Sequence, residues 1–441
     1  MSAQTLLLIL LTVIIGFGSA LAPGGPPPGP APGAGEHAPA PVGPRAVLAV
    51  VTGDAAPLYA AADAGHAAGQ LAKEDPLIVL EDAGSRLRVR TADGREGYVP
   101  RPLVRLLTAP PVPENFRVLG YYMNDPDGAS RRSLEQNKDT LTDVAPWTWG
   151  VTARGELVTV YFDERRLGEL LSWAGRNGLK TQALVHNFNP AKGAFDPELA
   201  DALLSNAAAR RAAVQNIVDT AARWGLSGVH VDFEGVPAAR RDDLTSFMAE
   251  LARRAHEHGL EVSMAVPAKT AAAASALWSA AYDYRALAEY VDFLMIMAYD
   301  QHWRGGAPGP VAALPWVRDV IEYALDPEGG AVPPDKLLLG VPVYGYDWPA
   351  GGGWADAVTY AQTMARLGAL QAHGAGVTVR WHPGHRSPFF TYSGRTVWYE
   401  NAHSAAYKLL LAAEYGLGGV AFWRLGQEDP HLWDVLRRAV R

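Results

Sequence analysis

From about residue 115 to the C-terminus, short runs rich in β-branched and aromatic residues alternate with helical patterns. No other feature of the chain narrows its fold as much. The runs are RVLGYYM (117–123), APWTWGVT (145–152), LKTQALVHNF (179–188), GVHVDFEG (228–235), LEVSMAVPA (260–268), VDFLMIMAYD (291–300), KLLLGVPVYG (336–345) and GGVAFWRLG (418–426). Between them lie patterns such as DDLTSFMAELARRAHEHG (242–259) and SAAYKLLLAAEYG (404–416), each closing on Gly, the usual residue past a helix C-terminus. Eight strands with intervening helices predict an α/β fold, a (β/α)8 barrel over 115–441. The roughly 50 residues between YGYDW and AHSAAYK exceed one connection, and predict a small inserted α+β lobe at about 347–400 near the C-terminal rim.

The N-terminal quarter reads differently. Leu6 to Phe17 is an apolar core of signal-peptide length, and Ala20-Leu21-Ala22 fits a small-x-small cleavage site. Residues 1–22 are therefore expected to export the chain to the cell exterior or the cell wall or spore. The leader carries no Lys or Arg, so retention as an N-terminal membrane anchor is the rival reading. Residues 23–45 are a Pro/Ala/Gly tract that reads as a semi-extended linker. Residues 46–108 carry short alternating runs broken by turn signals, with Asp93-Gly94 as a hairpin signal, and predict a small all-β barrel. This segment resembles a bacterial SH3 domain, a common appendage of cell-wall enzymes. A net charge of −7 argues against nucleic-acid and polybasic membrane partners, and zero cysteines exclude disulfides, thiol nucleophiles and thiolate metal sites. The chain is expected to act as a monomer.

Along GVHVDFE, alternation puts Val229, Val231 and Phe233 on one face and His230, Asp232 and Glu234 on the other. The apolar face suits the surrounding helices, so the polar face should point into the barrel. Asp232 and Glu234 come last, at the C-terminal mouth where barrels of this class place their active sites. A carboxylate pair there suits acid/base work, since each makes the other harder to ionise. A structural ion pair is the competing explanation for a bare D-x-E.

The surrounding residues resemble the signature of glycoside hydrolase family 18, D-G-x-D-x-D-x-E, aligned here on Ser227, Gly228, His230, Asp232 and Glu234. MAYD (297–300) is similar to the family's M-x-Y-D, GVAFWRLG to its eighth strand and LGYY (119–122) to its first. The sequences DQHWRGGAPGPVAALPWV and LLLGVPVYGYDW look closest to the branch acting on spore and cell-wall peptidoglycan. The resemblance implies substrate-assisted retaining hydrolysis, in which the sugar's own acetamido oxygen is the nucleophile. Glu234 would be the general acid and base, Asp232 would orient the acetamido N–H, and Tyr299 would donate to the acetamido oxygen. Tyr121, Asp300 and Trp423 would contact the sugar, with Trp423 as its floor. No metal or organic cofactor is implied. The expected substrate is peptidoglycan or another N-acetylglucosamine glycan, with chitin hydrolysis or glycan binding by a dead barrel as alternatives.

Four further residues are candidate sugar contacts. Asn187, with Asn189, ends the third strand and could bond sugar hydroxyls or serve as a turn residue; Trp303 and Tyr344 follow barrel strands and could stack on sugar faces or pack. His230 departs from the family's Asp and is expected to donate an N–H toward Asp232, or else to fill the barrel. His382 and His385 mimic a metal pair without a third ligand and read as turn residues. The Gly-rich GYDWPAGGGW lacks the Lys-Ser/Thr of a phosphate loop and reads as a flexible rim.

Overall fold

A computed structural model describes residues 46–271 and 276–440. The leader and linker expected at 1–22 and 23–45 lie outside the described residues.

The eight predicted runs form one closed parallel barrel. Its strands are Arg117–Tyr122, Asp143–Val151, Lys180–His186, Gly228–Asp232, Glu261–Pro267, Phe293–Met297, Leu337–Pro342 and Gly419–Trp423. Each pairs with its sequence neighbour, and the first pairs with both the second and the eighth, so no edge remains open. Strand alternation separates two cores. Val229, Val231 and Phe233 face outward and join the large core beneath the helices. Leu119, Tyr121, Leu184, Phe293, Met295, Leu338 and Ala421 fill the barrel interior. At the N-terminal end Arg117 spans Asp143 (3.0 Å) and Glu261 (2.7 Å), and Lys180 also reaches Glu261 (2.7 Å). That ionic plug leaves the opposite, C-terminal end as the open mouth.

The inserted lobe begins at Tyr344, a few residues before the position read from the sequence, because the chain leaves the seventh strand at Pro342 and re-enters a strand after Val343 alone. Five antiparallel strands, Tyr344–Trp348, Asp356–Thr359, Arg380–His382, Ser387–Tyr392 and Arg395–Tyr399, form its sheet. Its helix, Tyr360–Ala372, starts at a capping box between Thr359 and Gln362.

Residues 46–108 form a separate seven-stranded antiparallel sheet with its own apolar core. Gly94, at φ +88°, closes the Asp93-Gly94 hairpin, a backbone conformation that favours glycine. The module is seated on the barrel. Leu48 and Ile78 join the barrel's outer core, and the Arg438 guanidinium on the last helix donates to the carbonyls of Val79 and Leu80. Below the seam, Lys408 and Glu400 form an ion pair at 2.7 Å, only 1 % and 2 % exposed. Among the described residues no helix is long and apolar enough to cross a membrane.

Candidate active site

The fourth strand ends at Asp232, so Glu234 lies just past it, on a turn that Gly235 makes at φ +66°. Its backbone is strapped from two sides. The buried Asn187 amide donates to the Glu234 carbonyl (2.8 Å) and accepts from the Glu234 N–H (2.8 Å), while also donating to the Asp196 carbonyl (3.1 Å). The Tyr282 hydroxyl donates to the neighbouring Phe233 carbonyl (2.8 Å). The main chain of Glu234 is thus held while its half-buried carboxyl faces the mouth.

A cavity of about 310 Å³ opens there. Of the residues singled out in the sequence, Tyr121, Asp232, Glu234 and Tyr299 line it, as do Asp300, Trp303 and Trp423. Asn187, His230 and Tyr344 do not. Tyr344 turns its hydroxyl to Asp300 (2.6 Å), and Tyr346 donates to the same carboxylate oxygen (2.9 Å). Asp300 sits at φ +59°, a region that Asp tolerates better than most side chains. Trp423 packs edge-on against Tyr121, with ring centres 5.2 Å apart.

His230 is fully buried below the cavity, and both ring nitrogens are engaged away from Asp232. Ser263 gives its one hydroxyl proton to the Val229 carbonyl (3.2 Å), so it accepts from His230 Nδ1–H (2.8 Å). His230 Nε2 then accepts the Tyr121 hydroxyl proton (2.7 Å). The bond expected toward Asp232 is therefore not made; His230 instead orients Tyr121. Burial lowers its pKa to about 3, so the ring is neutral.

The carboxyls behave differently from free ones. Burial pushes Asp232 up to about 7, against the opposite pull of the Trp147 indole N–H, which closes no full hydrogen bond. Burial drives Glu234 well above the carboxylate range, and repulsion from Asp232 and Asp300 adds to the rise. Burial also raises Asp300, against the two tyrosine hydroxyls that bond it. Tyr299 is held well above its ordinary value, chiefly by burial, and stays a neutral donor. The arrangement offers two buried carboxyls, both raised, and a phenolic donor around one hole, with an indole beside them.

Sequence reasoning did not single out Trp147, Tyr282, Trp278 or Trp316. Trp147 stacks on His186 at 4.1 Å, and the other three line the cavity. Trp147 lies on a strand buried on both faces, so no alternation marks it. Asn189 bonds the Asp196 carboxylate (2.9 Å) and the Ala191 N–H (3.0 Å), as a turn residue does. His382 and His385 stack 4.0 Å apart, and no group of three metal-ligating side chains occurs among the described residues. Ser227 Oγ accepts the Thr181 N–H (3.1 Å), tying the fourth strand to the third where the family signature has Asp.

Residues 196–428, more than half of the chain, match the family described as Glycosyl hydrolases family 18. The chain belongs to this family. As a family 18 glycosyl hydrolase it is 35% identical over 252 residues to the cortical fragment-lytic enzyme of Bacillus subtilis (strain 168), an alignment covering 55% of this chain and 56% of that protein. The chain thus spans little more than half of that relative's length. Among solved structures it resembles the spore cortex-lytic enzyme SleL of Bacillus megaterium QM B1551, at TM-score 0.65 and 27% identity, over 80% of this chain and 79% of that one. It also resembles the chitinase of Chromobacterium violaceum ATCC 12472, at TM-score 0.67 and 31% identity, over 74% of this chain and 99% of that one.

Proposed function

We propose that the chain hydrolyses β-1,4-linked N-acetylglucosamine glycan of peptidoglycan, spore cortex included, by substrate-assisted retaining catalysis. The observation that carries this reading is the Asp232–Glu234 pair at the barrel mouth, where burial raises both carboxyls and repulsion from Asp232 and Asp300 adds to the rise of Glu234. In the proposed cycle the acetamido oxygen attacks the anomeric carbon as the glycosidic bond breaks, and Glu234 gives its proton to the leaving oxygen. Ionised Asp232 holds the acetamido N–H and balances the charge of the bicyclic oxazolinium. Tyr299 donates to the acetamido oxygen, Asp300 bonds the sugar and Trp423 and Trp303 stack on it. Water, giving a proton to Glu234, then opens the intermediate with retention.

The names of the relatives, a cortical fragment-lytic enzyme and a spore cortex-lytic enzyme, favour peptidoglycan and a wall or spore location. The likeness to a chitinase keeps chitin as the second reading. In the first, residues 46–108 are an SH3-like module that holds the chain on the wall. The deciding test is digestion of purified peptidoglycan and of chitin oligomers, with mass spectrometry of the new reducing ends. A muropeptide ladder ending in reducing N-acetylglucosamine supports the proposal; chitobiose from chitin with intact peptidoglycan replaces it with the second reading. Cleavage of de-N-acetylated glycan at an undiminished rate would overturn the substrate-assisted mechanism.

A further inference from the structure

Outside the cavity the rim carries a second tier that the proposed chemistry does not use. Trp354, on the loop of the inserted lobe, is 50% exposed, an uncommon state for so large an apolar side chain. Its ring meets Trp303, which lines the cavity, edge to face with centres 5.5 Å apart. On Trp354 lies the Arg304 guanidinium, 5.3 Å from the ring centre. Arg304 is half-buried and forms no close ion pair among the described residues, but its charge acts on the Asp300 carboxyl against the effect of burial; its Nε is buried, so a ligand would meet the terminal nitrogens. The tier is held in place rather than draped. The Arg304 carbonyl accepts from the Ala355 N–H (2.7 Å), and the Gly306 carbonyl accepts from the Trp348 indole N–H (3.1 Å).

An exposed indole beside a guanidinium is suited to a sugar that bears a carboxylate. The indole takes the apolar C–H face of the ring, and the guanidinium takes the two carboxylate oxygens. The cavity itself carries the carboxyls of Asp232 and Asp300 beside the acid Glu234, so an anionic glycan approaching it needs a local cation. We propose that Arg304 and Trp354 form an outer subsite that selects glycans carrying a carboxylate next to the reacting N-acetylglucosamine. The acid can be an ether-linked lactyl group on the sugar or the carboxylate of a peptide attached to it; both offer the same chemistry. This inference rests on the glycan-hydrolysing reading and assigns its substrate class.

The test is calorimetric binding to the full chain carrying Glu234→Gln, which prevents turnover. Three ligands of equal length are compared: a neutral N-acetylglucosamine oligomer, a glycan with the lactyl carboxylate but no peptide, and the same glycan with its peptide. A carboxylate-bearing ligand should bind about tenfold tighter than the neutral one, a preference that added salt diminishes. Adding Arg304→Gln should reduce that preference to about twofold or less, because the neutral ligand corrects for any general damage to the rim. Trp354→Ala should weaken all ligands by similar factors. Preference for the peptide-free acid assigns the charge to the lactyl group, and preference for the peptide-bearing ligand alone assigns it to the peptide; either supports the subsite. Binding without preference, or a preference that survives Arg304→Gln, overturns it. Failure of all three glycans to bind overturns the parent reading as well.

Discussion

Replacing Asn187 by Ala tests whether the acid is positioned by its main chain. The change removes three hydrogen bonds, at 2.8, 2.8 and 3.1 Å, two of them to the backbone of Glu234. Each such bond contributes about 0.5–1.5 kcal/mol net, and a buried group left unpaired costs about 1–3 kcal/mol. Allowing water to satisfy some of the freed groups, Asn187→Ala should destabilise the fold by about 3 kcal/mol. It should also free the turn that carries the acid, and misplacement by about 1 Å costs about a hundredfold in rate. The assay pairs urea titration with steady-state turnover on a soluble glycan, under conditions where the variant stays folded. Asn187→Asp is the informative companion. It keeps the acceptor for the Glu234 N–H but loses the donors to two carbonyls, so it should fall between wild type and Ala in turnover. Lower stability with unchanged kcat in the folded variant would make Asn187 merely structural. Unchanged stability would refute the strap itself.

Four further outcomes are expected. The pH profile of kcat/KM should be a bell belonging to the coupled pair. Activity falls as pH drops through about 7 and the base of the pair protonates, and falls again where the raised acid Glu234 ionises; Asp300→Asn, removing a negative neighbour, should move the alkaline limb to lower pH. Glu234→Gln should lower turnover by about two to four powers of ten. The same substitution should stabilise the fold at pH 8 relative to pH 4: a carboxyl raised in the folded state keeps its proton there while the unfolded chain loses it, so its cost appears only above the unfolded value near 4.5, and calorimetric melts at the two pH values read the difference. Lys408→Met should cost about 3–5 kcal/mol in urea titration by leaving Glu400 buried and unpaired, and adding Glu400→Leu should recover most of the loss.

The barrel was legible because each strand carries its own periodicity and each connection its own helical pattern, so tertiary packing had little to override. The Asp232–Glu234 placement followed from two local facts, alternation along the strand and position at its C-terminal end. What a polar side chain does once it reaches that end was not legible. Asn187 and Tyr344 were read as sugar contacts, yet one grips the Glu234 backbone and the other the Asp300 carboxylate. A strand pattern gives the face a side chain leaves from, whereas its partner comes from a segment tens of residues away. For the same reason the hydroxyl proton that Tyr121 gives to His230 could not be foreseen. Tyr282 lies in a loop with no period at all, and only the fold brings it to Phe233.

If the proposed wall substrate is the right one, the seat of the β-sheet module on the barrel bears on how the chain works an insoluble surface. Arg438 reaches its carbonyls from the last helix, and Leu48 and Ile78 are shared with the barrel's outer core, so the module is packed on the barrel and not merely tethered to it. Whatever the module grips, the cleft is carried at a fixed offset from it rather than on a leash. Bonds within reach of one foothold are then few. Once they are cut, progress waits on letting go, and a weaker grip becomes the faster way to clear a sheet of glycan.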